Sequence, residues 1–390
     1  MDKKNVDKKN VERKNSGFMG LYIHIPFCKQ LCSYCDFHFS VSLMRTREML
    51  NCLMREMEMK AENNSLPEKG FDTLYFGGGT PTVYGADEIK QLSDKALSLF
   101  FPKFPEEWTV EANPDDLATD YLARLADMGV NRLSIGLQSF IDRDLQIMNR
   151  RHSAGQGIKS VENAQKAGFN NIGIDLIYGF PGMSLEEWKY NLECAVNLGV
   201  QHISAYHLSI ENKTILGKRA EKGAFSPIDD ELSDLQYKLL EEKLLRAGYV
   251  HYEISNFALP AFMSRHNSAY WEKQAYTGIG PSAHSYDGYL TRKNNIANNI
   301  KYIESIQQGV IPEETEILSD KDYYNESILT SLRTQKGLNL NSIPEPFGNR
   351  FQEQANKHLS AGTMIYDGSY KIPSKYFLIS DSIILDFIVI

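Results

Sequence analysis

The stretch Tyr22-Ile-His-Ile-Pro-Phe-Cys28-Lys-Gln-Leu-Cys32-Ser-Tyr-Cys35 runs from a β-branched and aromatic segment straight into a loop bearing three cysteines. Residues 21–25 read as a strand, because such side chains favour extended backbone. Outward from it, short runs of this kind alternate with longer helix-patterned runs, the signature of repeated βα units around a parallel sheet. Further strands are expected at 73–76, 108–112, 132–137, 172–178 and 203–208, and helices at 45–62, 86–100, 119–128, 157–167 and 185–198. Several of these helices end at glycines, Gly129, Gly168 and Gly199, that suit a left-handed C-cap. Six βα units make an α/β barrel or partial barrel. An open doubly wound sheet has the same periodicity.

Beyond this repeat a helix is expected at 232–246 and a strand at 250–254. Residues 256–289 are rich in Gly, Ser, His and aromatics with little periodicity, and read as functional loop. From about Glu313 an acidic opening, a helix over 323–332, a Gly-bearing turn, a helix over 349–361 and terminal strands suggest a small α+β domain, similar to a winged helix in its two helices and hairpin. The expected division is a charged tail over 1–20, a barrel over 21–255, a loop-rich segment and connector over 256–312, and a C-terminal domain over 313–390.

The 390 residues, 42% hydrophobic and 24% charged, suit a globular chain with a sizeable core. Lys and Arg number 42 against 50 Asp and Glu, a net charge of −8, so nucleic acid is not an expected partner. Met1–Ser16 is Lys- and Asn-rich with no apolar run, neither a secretion signal nor an anchor. Residues 383–390 are too few to span a bilayer, carry Asp386, and read as a terminal strand or core segment. A cytoplasmic location follows as an expectation, with the five cysteines reduced. Cys52 and Cys194 lie in helical patterns and read as small buried hydrophobes.

Cys28, Cys32 and Cys35 are different, because thiolates spaced C-x3-C-x2-C on one loop can surround a single metal centre. Structural zinc takes four ligands, and a fourth would have to come from His24, Asp36, His38 or further away. A missing fourth cysteine favours an iron-sulfur cluster with one open iron. Polar residues in otherwise apolar strands add a second signal, since burying them is costly unless they are paired or bind a ligand. Glu111, Gln138 and Asp175 are such residues, and Gly78, Gly79 and Thr80 follow a strand where glycines let backbone approach a ligand.

The three cysteines, with Tyr34 before the last, resemble the signature of the radical S-adenosylmethionine (SAM) superfamily. The resemblance implies a partial (β/α)6 barrel and a 4Fe-4S cluster on Cys28, Cys32 and Cys35, whose fourth iron is chelated by the amino and carboxylate groups of SAM. An electron passed to the sulfonium then yields a deoxyadenosyl radical. It also implies that Tyr22, Gly78, Gly79, Thr80, Glu111, Gln138, Arg150 and Asp175 surround SAM.

The motifs Tyr22-Ile-His-Ile-Pro-Phe-Cys28, Gly77-Gly-Gly-Thr80-Pro, Ser134-Ile-Gly-Leu-Gln138-Ser-Phe and Asp175-Leu-Ile-Tyr-Gly-Phe-Pro are similar to the branch that contains oxygen-independent coproporphyrinogen III dehydrogenase and HemW-type haem chaperones. Three features separate those two. The dehydrogenase carries a further cysteine two residues past the third ligand, where this chain has Asp36-Phe37, and it has a long N-terminal cover, where only 21 residues precede Tyr22. Third, Arg265-His266-Asn267-Ser-Ala-Tyr270-Trp271 reproduces the H-N-x-x-Y motif of the chaperones. The resemblance therefore implies haem binding at His266, Asn267 and Tyr270, with Tyr276 and Phe262 as further aromatic surface and His284 as a second candidate ligand. Implied partners are a haem-accepting protein and an electron donor such as flavodoxin or ferredoxin, with any membrane association made through the acceptor.

Overall fold

The computed structural model describes residues 17–63, 69–225 and 228–390. Most of the expected charged tail lies outside the described residues. Among the described residues, twelve strands form one sheet in the order β12-β11-β10-β9-β1-β2-β3-β4-β5-β6-β8-β7. Strands β1 (Met19–Ile25), β2 (Thr73–Gly78), β3 (Glu107–Ala112), β4 (Arg132–Gln138), β5 (Ile172–Tyr178) and β6 (His202–His207) are parallel neighbours. The sheet curves without closing, so the α/β fold is the expected partial barrel with a smaller C-terminal unit.

Each crossover is a helix whose ends are set by the sequence. Ser153 and Ser184 form capping boxes with Gln156 and Glu187, starting the helices Ala154–Lys166 and Leu185–Asn197. The first of these begins three residues earlier than expected, because the box lies ahead of its apolar stripe. Gly129, at φ +97°, ends the helix Thr119–Met128 in the left-handed conformation. Leu74, Val110, Leu133, Ile174 and Ile203 are fully buried along the strands, and Trp108 and Trp188 fill the layer between strands and helices.

Three expectations are corrected. Residues 256–312 are not predominantly loop. After β7 (Val250–Glu253) they supply β8 (Asn256–Ala258), the helix Arg265–Trp271, β9 (Ala275–Ile279), β10 (His284–Tyr286), β11 (Thr291–Asn295) and the helix Asn299–Gln307. Strand β9 runs parallel to β1, and the acidic residues expected to open the C-terminal domain form β12 (Glu313–Ile317), the edge of the same sheet. The glycines of this segment hid its strands: Gly278 and Gly280 interrupt the apolar pattern but lie where the backbone passes close to His284 and His24. At the C-terminus, the run 383–390 is the core segment and not the strand of the two readings, and it begins inside the helix Ser380–Leu385. Its turn places Ile383, Ile384 and Phe387 together in the core of the small unit, beside the helices Asp320–Ser331 and Gly348–Ala361.

Candidate functional site

The cysteine loop leaves β1 at Ile25 and is tied down by its own backbone. The Cys28 amide donates to the Ser40 carbonyl (3.0 Å), and the Ser40 amide to that of Pro26 (2.9 Å). All three thiols are half-buried. The glycine turn after β2 is laced to this loop: Gly79 N donates to Ile25 O (2.8 Å), Thr80 N to Phe27 O (2.7 Å), and the Thr80 hydroxyl to Cys28 Sγ (3.4 Å). A Cβ at Gly79 would stand 2.5 Å from the Phe27 carbonyl oxygen. Glycine is therefore required by the loop itself, besides any ligand it approaches.

Arg150 lies outside any helix and behind the cysteines. Its guanidinium donates to Cys32 Sγ (3.3 Å), Asn113 Oδ1 (2.7 Å) and the Gly136 carbonyl (2.7 Å). Burial opposes its charge, but the Tyr34 and Cys32 groups beside it raise its pKa above the ordinary arginine value. Gln138 ends β4 with φ +68°, at a bulge against β5, and is 8% exposed. Positive φ in a non-glycine residue is costly and marks a position held by its surroundings.

The remaining polar strand residues meet in the barrel lumen. A cavity of about 280 Å³ is lined by Tyr22, Glu111 and Asp175 together with Arg132, Ser204 and Tyr206. Glu111 accepts from Tyr75 Oη (2.7 Å) and from the Gly78 amide (3.2 Å). Burial pushes its carboxyl up to about 7, with Asp175 adding to the rise. Asp175 is itself raised by burial. A cationic group entering the lumen would favour both carboxylates in their charged forms.

Sequence reasoning missed Arg132, Asn113 and Tyr75. Arg132 is 1% exposed at the first position of β4, where an arginine ordinarily reads as a solvated strand end. No local pattern marks it; its carboxylate neighbours Glu107 and Asp175 come from other strands.

The H-N-x-x-Y motif does not lie on a loop. His266 stands in the helix Arg265–Trp271, 1% exposed, with Nδ1 bonded to Thr73 Oγ1 (2.7 Å) and Nε2 to Tyr270 Oη (2.8 Å). Its ring stacks on Tyr75 at 4.9 Å. Ser264 caps the helix, and Glu107 accepts from the backbone amides of Arg265 and His266 (2.9 Å each). Burial lowers the His266 pKa to about 3. His266 and Asn267 face the lumen, while Tyr270 lines both the lumen and a second cavity of about 540 Å³ at the barrel mouth, where His284 also lies.

The family model described as Radical SAM superfamily matches residues 22–195. The chain is 36% identical to the Heme chaperone HemW of Lactococcus lactis over 85% of its own length and 84% of that protein's. It is 35% identical to the Heme chaperone HemW of Bacillus subtilis, over 84% and 86%. The chain belongs to the HemW family of radical SAM proteins. Its fold is also that of the coproporphyrinogen III oxidase HemN from Escherichia coli, with a TM-score of 0.81 over 95% of this chain and 90% of that one, at 22% identity.

A radical SAM protein carries a 4Fe-4S cluster and SAM, and the residues present fit that pair. Burial pushes the Cys28 and Cys35 thiols up to about 12 and about 11, a penalty that bound iron offsets by taking the thiolate. Among the described residues, no three His, Cys, Asp or Glu side chains are set to hold one metal ion. A cluster asks for something else, one thiolate per iron, so its ligands need not converge on a point. No helix among the described residues is long and apolar enough to cross a membrane.

Proposed function

We propose that this protein is a haem chaperone: it binds haem, carries a SAM-chelated 4Fe-4S cluster, and delivers haem to an acceptor protein in the cytoplasm. The observation that carries the proposal is the identity of 36% to a protein named Heme chaperone HemW, sustained over 85% of the chain. The site supports it chemically. Cys28, Cys32 and Cys35 would ligate the cluster, with Arg150 donating to a ligand sulfur. Tyr22, Gly78, Gly79, Thr80, Glu111, Gln138 and Asp175 would receive SAM, whose cationic amino group would pair with the Glu111 carboxylate beside the Gly78 turn. When bound, the cluster and SAM supply one-electron chemistry, with flavodoxin or ferredoxin as the class of electron donor. In this conformation His266 and Asn267 line the lumen, and Tyr270 lines both the lumen and the mouth cavity.

The test is an absorption titration of anaerobically reconstituted protein with haem, paired with an assay of coproporphyrinogen III conversion. Saturable haem binding without conversion is expected. Steady conversion with no haem binding overturns the proposal and leaves a dehydrogenase.

A further inference from the structure

We infer that haem is held in the cavity at the barrel mouth, between the cysteine loop and strands β9–β11, with His284 as the iron ligand. This rests on the haem reading above.

The cavity measures about 540 Å³, within the range of sites that take cofactor-sized ligands. Phe37, Tyr270, Tyr276 and Tyr286, none of them among the residues proposed for SAM, give it an aromatic wall suited to a flat apolar macrocycle. Tyr270 and Tyr276 meet edge to face at 4.7 Å, so their orientation is set before any ligand arrives. Phe37, two residues past Cys35, is 76% exposed at the same cavity and has an apolar ring to cover.

Three histidines line the cavity, and their hydrogen bonds separate them. His24 has both ring nitrogens engaged, with Tyr22 Oη and the His38 carbonyl, at 3.0 Å each. His38 commits Nε2, its less hindered nitrogen, to Asn299 Oδ1 (2.8 Å). His284 is exposed and makes no side-chain hydrogen bond among the described residues. His266, outside this cavity, is buried with both nitrogens bonded.

The backbone carrying His284 is firmly built, as a metal ligand requires. A side chain at Gly278 would collide with the His284 carbonyl, so only glycine lets β9 pass β10 this closely. The turn between them has Gly280 at φ +105°, and its amide donates to Glu56 Oε2 (2.7 Å). Buried Glu56 also accepts from Asn295 (2.7 Å) and Tyr302 (2.6 Å), joining the turn to β11 and two helices.

The test compares His284→Gly, His266→Ala and the parent protein, all full-length and reconstituted, by haem titration with added imidazole as a further arm. His284→Gly is expected to shift the Soret band and weaken binding by at least the roughly tenfold that loss of even an outer partner of a metal ligand costs. Added imidazole should restore the parental spectrum in His284→Gly and leave His266→Ala unaltered. An unchanged titration in His284→Gly overturns the inference, as does imidazole rescue confined to His266→Ala. Parent protein that binds no haem overturns the chaperone reading itself, and the inference with it.

Discussion

Replacing Arg150 with Met removes hydrogen bonds to Cys32 Sγ, Asn113 Oδ1 and the Gly136 carbonyl together. The buried acceptors left unsatisfied cost roughly 1–3 kcal/mol each, so the variant should be less stable in denaturant titrations. It should also shift the cluster's reduction potential to more negative values, because a positive charge and a donor to a ligand sulfur are both lost. A potential unchanged in Arg150→Met would show that the guanidinium is purely structural. The cysteines divide at the same scale. Cys28→Ala, Cys32→Ala and Cys35→Ala should each abolish the cluster's absorption with the fold retained by circular dichroism. Cys52→Ala and Cys194→Ala should leave iron content unchanged, Cys52 being 4% exposed beneath the helix Asn299–Gln307 and Cys194 packed against the core. Stoichiometric zinc without iron after anaerobic reconstitution would refute the cluster assignment.

The glycine turn after β2 and the loop after β1 act as one element. Bulk at Gly79 would obstruct more than a ligand approaching the turn, because its Cβ would meet the Phe27 and Ile25 carbonyls at 2.5 and 2.9 Å. Gly79→Val should therefore lose iron as well as SAM affinity, which iron analysis beside anaerobic calorimetry would read. Retention of full iron content would show that the loop yields without moving Cys28. Strands β1 to β6 were legible because each is a short local run between capped helices. Strands β9 to β12 were not, since what makes them strands is pairing with β1 and with one another, and Gly278 and Gly280 erase the alternation a reader looks for.

Across the whole molecule, His24, His152 and His266 are 6%, 3% and 1% exposed, and burial lowers their pKa values to about 4, 4 and 3. Each has a folded pKa below the unfolded value near 6.5, so the unfolded chain binds the extra proton. The stability these groups confer is therefore complete above about pH 6.5 and lost as pH falls, by about 1.4 kcal/mol per pH unit for each histidine, down to about pH 4 for His24 and His152 and about pH 3 for His266. Glu111 works in the opposite sense. Its folded pKa of about 7 lies above the ordinary glutamate value of 4.5, so its contribution is present below about 4.5 and lost as pH rises through 7. Cofactor-free Glu111→Gln should be stabilised relative to the parent near pH 8 but not near pH 4, as denaturant titrations at the two values would reveal. An equal change at both would mean that Glu111 does not titrate in the fold.

The sequence by itself determined the parallel α/β scaffold, the three cysteines and the polar strand residues, because strand and helix periods and ligand spacing are properties of neighbouring residues. Only the tertiary structure decided which of those side chains have free atoms. His266 and His284 look alike as letters beside aromatics, yet one is sealed between Thr73 and Tyr270 while the other opens into the mouth cavity. Arg132 looked like a strand end and lies under the lumen. The physical reason is the same in each case: a side chain's hydrogen-bond partners and solvent come from distant strands, and no local pattern carries them.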